Sequence, residues 1–143
     1  MSYVFQEKFN IYDLIALESQ PHRVAILEPE QYLAKLYEKY LRAQGFEVIR
    51  CTERNLLHGF LSATSPRILL LNPGSFEKTK IAIAAIGQAL LAFPELLIVT
   101  IGYDTPAEEL KELMSAGIAS HINRKLSKPA DVVYIIKTLL AQA

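Results

Sequence analysis

Beyond residue 21 the chain alternates between short continuous apolar runs and longer stretches whose apolar residues recur at helical spacing. Arg23-Val24-Ala25-Ile26-Leu27 is too short for a helix and lies between Pro21 and Pro29, so it reads as a buried strand. Leu33, Leu36, Tyr37, Tyr40 and Leu41 follow at i, i+3, i+4, i+7 and i+8, one face of a helix that Gly45 ends. Residues 46–51 read as the second strand, and Thr52 is placed to cap a helix carrying Leu56, Leu57, Phe60 and Leu61. Ile68-Leu69-Leu70-Leu71 is apolar without a break, as a central strand covered on both faces requires. Asn72-Pro73-Gly74-Ser75 has the composition of a turn. A helix over 76–93 and a strand over 96–101 come next. Thr105-Pro106-Ala107-Glu108 has the form of a capping box with Pro at the first helical position. The helix it opens presents Leu110, Leu113 and Met114 and stops at Gly117. Ser120-His121-Ile122-Asn123 is a fifth, short strand, and a last helix from Pro129 carries Val132, Ile135, Ile136 and Leu139.

Five β–α units in strict alternation predict an α/β domain over residues 22–143, a parallel sheet with helices on both faces and right-handed crossovers. Residues 1–21 stand outside the pattern as an N-terminal extension, where Phe9, Tyr12, Leu14, Ile15 and Leu17 suggest a short amphipathic segment. In the third helix, Ile83, Ile86, Leu90 and Phe93 are expected to face the sheet, with Ala82, Ala85, Ala89 and Ala92 as a small-residue stripe beside them. Ile81, Ala84 and Leu91 carry the apolar surface further round. A helix apolar on so many sides is expected to be covered twice. The N-terminal extension is one candidate cover; a second copy of the chain, in a two-fold homodimer, is the favoured one.

Composition narrows the function classes. The chain has 143 residues, 51% hydrophobic and 21% charged, enough for one well-buried domain and too apolar for a disordered chain. Lys+Arg and Asp+Glu are 15 each, a balance that speaks against direct nucleic-acid binding. Cys51 is the single cysteine, so no intramolecular disulfide forms, and His22, His58 and His121 lack metal-ligand spacing. The N-terminus lacks the features of a signal peptide, and the apolar stretch over 81–93 is too short to span a bilayer, so a soluble, cytoplasmic protein without membrane partners is expected. The loop after the first strand, Glu28-Pro29-Glu30-Gln31-Tyr32, has no glycine and two acids that would repel a pyrophosphate. No Gly-x-Ser-x-Gly elbow is present. Neither an enzyme nor a cofactor is expected.

In open parallel sheets, sites form at the carboxyl ends of the strands, which singles out Glu28 to Glu30, Asn72, Thr100 to Tyr103, and Arg124 with Lys125. The chain here resembles the receiver domain of two-component response regulators over about residues 22–142. The resemblance rests on Val24-Ala25-Ile26-Leu27-Glu28, on Leu41-Arg42-Ala43-Gln44-Gly45-Phe46-Glu47-Val48, and on Pro66-Arg67-Ile68-Leu69-Leu70-Leu71-Asn72. Leu97-Ile98-Val99-Thr100 and Ala116-Gly117-Ile118-Ala119-Ser120-His121-Ile122 complete it. It implies a flavodoxin-like three-layer fold with strand order 2-1-3-4-5. It also implies roles that this chain fills differently. Asn72 stands at the phosphoacceptor position, where the family has an aspartate, and an amide oxygen is a far weaker nucleophile that gives no stable acyl phosphate. The family's magnesium-binding acids are matched by Glu28 and, beyond Pro29, Glu30, so Mg²⁺ binding is expected to be weak at most. Arg124 in one register and Lys125 in another match the family's lysine, and Lys128-Pro129 follows four residues later. Thr100 matches the switch hydroxyl, and His121 stands where the switch aromatic belongs.

The sequence therefore reads as a pseudo-receiver, a regulatory domain that acts through contacts with a protein partner and is not phosphorylated at Asn72. The resemblance places the contact surface at about residues 106–142. Two alternatives stay open: a regulator phosphorylated on another residue, such as Glu28 or Ser75, and a flavodoxin-like domain that binds a small ligand over Asn72, Thr100 and Arg124.

Overall fold

The structure, a computed structural model, describes residues 22–143. The predicted amphipathic segment and its docking on the third helix lie outside the described residues. Strands β1 (Arg23–Leu27), β2 (Glu47–Arg50), β3 (Ile68–Leu71), β4 (Leu97–Gly102) and β5 (Ser120–Asn123) alternate with helices α1 (Gln31–Ala43), α2 (Leu57–Thr64), α3 (Thr79–Ala92), α4 (Ala107–Ser115) and α5 (Pro129–Gln142). The strands form one parallel sheet in the order β2-β1-β3-β4-β5, the expected flavodoxin-like topology.

The two-residue period of the strands divides the core in two. Ala25, Leu27, Leu69, Leu71 and Ile98 point to the face covered by α2, α3 and α4. Val24, Ile26, Ile68, Leu70, Val99 and Ile101 point to the face covered by α1 and α5. Both faces of β3 are thus buried, which is why its sequence is apolar without alternation. The C-terminal ends of all five strands lie along one edge, and the loops leaving them carry the polar residues singled out above.

Several local expectations change. Thr52 does not cap α2; a 3₁₀ turn over Arg54–Leu56 precedes it and Leu56 occupies the cap position. The chain over 76–78 is not helical. A 3₁₀ turn over Pro73–Ser75 ends at Phe76, whose ring is buried in the core, so α3 starts only at Thr79. Pro106 rather than Thr105 is the N-cap of α4, with no side-chain cap bond among the described residues. On that helix Leu113 is fully buried whereas Met114 is 53% exposed, because the α4 face that meets the sheet is narrow.

The third helix also turns differently from the expectation. Ala82, Ile86 and Ala89 are its buried residues, while Ile83, Leu90 and Phe93 pack at the margins. Ala82 and Ala89 therefore face the sheet beside Ile86, whereas Ala85 is only half-buried and Ala92, the last of the stripe, is exposed. Ile81 and Leu91 stay exposed, Leu91 to 86%.

Candidate functional site

Three residues that the sequence singled out meet at the C-terminal edge of the sheet. Glu28 follows the last residue of β1 and is buried, as few carboxylates are without a partner. Asn72 follows β3, next to β1 in the sheet, and its Nδ2 donates to Glu28 Oε1 at 3.1 Å and to Oε2 at 3.2 Å. The other end of the same amide is also engaged, since Asn72 Oδ1 accepts from Gly74 N at 2.8 Å and so holds the 3₁₀ turn. Glu30 N donates to Glu28 Oε2 at 2.9 Å. Arg124, just after β5, brings Nη1 to 3.9 Å from Glu28 Oε1. A buried carboxylate is thus met by two N–H donors and a guanidinium, as its charge requires.

Tyr37, on the buried face of α1, responds to this charge. Burial pushes its phenol above the usual range, the Glu28 carboxylate pushes it further, and Arg124 opposes the rise. The Arg124 guanidinium lies 5.5 Å from the centre of the Tyr103 ring, a cation–π arrangement that holds the side chain over the strand ends.

A second pair sits beside this cluster. Thr100 on β4 is fully buried, and its Oγ1 is 2.7 Å from Nδ1 of His121, its register partner on β5. The His121 Nε2 is buried and finds no hydrogen-bond partner among the described residues. Burial holds this imidazole below its ordinary pKa.

The remaining candidates are elsewhere. Glu30 is exposed and contributes its backbone, not its carboxylate, to Glu28. Lys125 turns to Asp104, 3.9 Å away, so of the two register alternatives only Arg124 reaches Glu28. Lys128 is the N-cap of α5, where its backbone N donates to Asp131 Oδ2 at 2.7 Å. Cys51 is buried, with Sγ 3.2 Å from Glu53 O, and burial pushes its thiol up. A cavity of about 760 Å³ borders Glu28, Asn72 and Arg124 and takes Tyr32 and Tyr103 on its rim, but Thr100 does not line it.

The donor set does not fit a resident magnesium ion. Mg²⁺ takes six oxygens in near-octahedral order. Here one carboxylate is present, and Asn72 points its nitrogen, not its oxygen, at that carboxylate. Among the described residues no group of three or more His, Cys, Asp or Glu side chains is placed to hold a metal. Among them, too, no helix is long and apolar enough to cross a membrane.

Tyr37 is legible in the sequence only as a core residue of the first helix, and Tyr103 only as one of the residues at the end of the fourth strand. Their place around Glu28 follows from tertiary packing, and no spacing rule would have found it.

No family model matches the sequence, and no curated protein matches it. The fold, by contrast, is that of response-regulator receiver domains. A response regulator from Thermotoga maritima superposes with a TM-score of 0.76 at 12% identity, over 85% of this chain and 98% of that one. A CheY-like receiver domain protein from Methanospirillum hungatei gives 0.75 at 15% identity, over 85% and 95%. An orphan response regulator of H. pylori gives 0.74 at 13% identity, over 83% and 96%.

Proposed function

We propose that this chain is a receiver-like regulatory domain that acts through contacts with a partner protein, and that Asn72 keeps it from being phosphorylated at the usual acceptor position. The observation that carries the reading is the two-ended use of the Asn72 amide, with Nδ2 on Glu28 and Oδ1 on Gly74 N. An acceptor carboxylate there would be a free nucleophile beside a cation. The amide is instead a neutral donor that closes the strand-end cluster on itself, and with Arg124 it balances Glu28 without a metal. The domain is neither a phosphotransfer enzyme nor a cofactor carrier in this reading.

The partner surface is formed by α4, β5 and α5, over about residues 106–142. It exposes Met114, Leu126 and Tyr134, with Tyr103 at its edge, and large apolar side chains of this kind favour protein contacts. Asn123 braces the adjoining loop, accepting from Lys125 N at 3.0 Å.

Acetyl phosphate with Mg²⁺, followed by intact-mass spectrometry, tests the proposal. The expected spectrum shows no phosphoryl addition, and beryllofluoride leaves the amide NMR spectrum unchanged. Stoichiometric phosphorylation, whether on Glu28, Ser75 or another residue, would overturn it.

A further inference from the structure

At the N-terminal end of the sheet, opposite to the edge that carries Glu28 and Asn72, a groove of about 450 Å³ opens between the C-terminal ends of α2 and α3. It is lined by residues 65–67, which lead into β3, and by residues 92–96, which lead from α3 into β4. Leu61 and Leu96 are closed off in the core below. The apolar surface that stays accessible belongs to Ala92 and Pro94, which are exposed, and to Pro66 and Phe93, which are half-buried. Covering such a surface removes it from water and is favourable. The chain itself arrives at this place. Arg67 N donates to Arg23 O at 2.9 Å and Leu97 N to Arg67 O at 3.0 Å, so the starts of β1, β3 and β4 stand side by side. The Arg23 guanidinium donates to Thr64 O, at the last residue of α2, which puts that side chain on the groove's side of the sheet. Two strand spacings, about 10 Å, separate β1 from β4.

We infer that residues 9–17 of the N-terminal extension seat in this groove and strap the ends of α2 and α3 at the start of β1. The stretch supplies Phe9, Tyr12, Leu14, Ile15 and Leu17 as apolar filling, and it ends five positions before His22, a reach of up to about 17 Å. Lys8 and Glu18 bracket it, and the groove carries one charge of each sign to meet them, Glu95 and Arg67. A segment on so short a tether is present at an effective concentration on the order of millimolar, which favours it over a second copy of the chain at micromolar levels. The groove lies at the other end of the strands from Asn72, so the inference is independent of the reading of that residue.

Chymotrypsin added to the full chain reads the occupancy, because a seated extension exposes Phe9 and Tyr12 to cleavage only while it is out of the groove. Ala92→Glu brings a charge into the groove at an exposed position, the last residue of α3. Cleavage after Phe9 and Tyr12 should run roughly 10-fold faster in this variant than in the parent, as the open population rises. Cleavage after Tyr134, exposed on α5, should run at the same rate in both, which separates release of the extension from loss of the fold. Ile15→Asp makes the reciprocal change within the extension and leaves residues 22–143 as they are. In amide NMR of the full chain it should shift Ser65, Arg67, Ala92, Phe93 and Glu95 and leave Glu28, Glu30 and Arg124, at the far end of the strands, in place. The inference fails if the parent and Ala92→Glu are cleaved alike, or if Ile15→Asp leaves the groove amides unmoved. It fails equally if protection of Phe9 and Tyr12 rises with protein concentration, since a second copy would then be the occupant.

Discussion

The amide nitrogen of Asn72 lies 3.1 and 3.2 Å from the two carboxylate oxygens of Glu28, a residue 44 positions earlier in the chain. A side chain that can only accept would put like charge against like charge at this distance. The pair therefore fixes both identities: an anion after β1 and a neutral donor after β3.

Replacement of the donor is the most direct test. Asn72→Asp places a second carboxylate against Glu28 in a buried setting. At pH 8 without divalent cations it should lose about 1–3 kcal/mol of stability, through the lost hydrogen bonds and like-charge repulsion. Urea unfolding reads the loss. At pH 4.5 the loss should shrink, because protonation of one carboxyl restores a shared hydrogen bond. Millimolar Mg²⁺ should also reduce it, by supplying the cation that two carboxylates attract. An Asn72→Asp variant as stable as the parent at pH 8 would show that the amide contributes nothing.

His121 sets a pH dependence. Burial lowers its pKa in the folded state, so the unfolded chain binds the proton more readily. The contribution to stability is full above the ordinary imidazole value of about 6.5 and is lost as pH falls from there toward the lower folded value. Denaturation midpoints measured from pH 8 to pH 5 should fall over that window. His121→Phe should remove this component of the slope, at the expense of leaving Thr100 Oγ1 without its partner. An unchanged slope in that variant would assign the pH dependence to the carboxylates.

Gly117 ends α4 at φ +103, in the left-handed region, and a Cβ there would come within 3.1 Å of Leu90 Cδ1 on α3. Gly117→Ala should destabilise the domain by about 1–2 kcal/mol, from backbone strain with some crowding of Leu90. Thermal unfolding checks it. Gly59→Ala is the control: it lies in α2, no atom lies near the added methyl, and Ala is the better helix former, so stability should stay level or rise.

The outer face of α3 bears on self-association. Leu91 and Ile81 are exposed on a helix whose only exposed charge among residues 79–92 is Lys80. The homodimer reading expects sedimentation equilibrium to show a dimer at about 100 µM, a range in which weak protein contacts register. Leu91→Glu should return it to monomer without lowering the unfolding midpoint, since the side chain is out of the core. A monomeric parent at that concentration would remove α3 as a dimer surface.

The sequence by itself determined the fold. The alternation of short apolar runs with helical apolar spacing recovered β1, β3 and β5 with their observed bounds, and the unbroken Ile68–Leu71 run revealed the strand buried on both sides. Such patterns are local consequences of strand and helix geometry, so they survive in one chain read alone. The same reading picked out Glu28, Asn72, Thr100 and Arg124, because the carboxyl ends of parallel strands share one edge, and the family resemblance added His121. Tertiary structure alone decided which of them touch. Arg124 rather than Lys125 reaches Glu28, since successive residues leaving a strand point to opposite sides. Ala82 and Ala89, not Ile83 and Leu90, flank Ile86 on the side of α3 that faces the sheet, and which flank of the apolar helix turns inward is set by its packing against the core. Arg50 carries no sign in the sequence that one of its nitrogens is buried without a partner. Whether a polar atom is satisfied depends on groups brought together from distant parts of the chain, and neither periodicity nor composition encodes that.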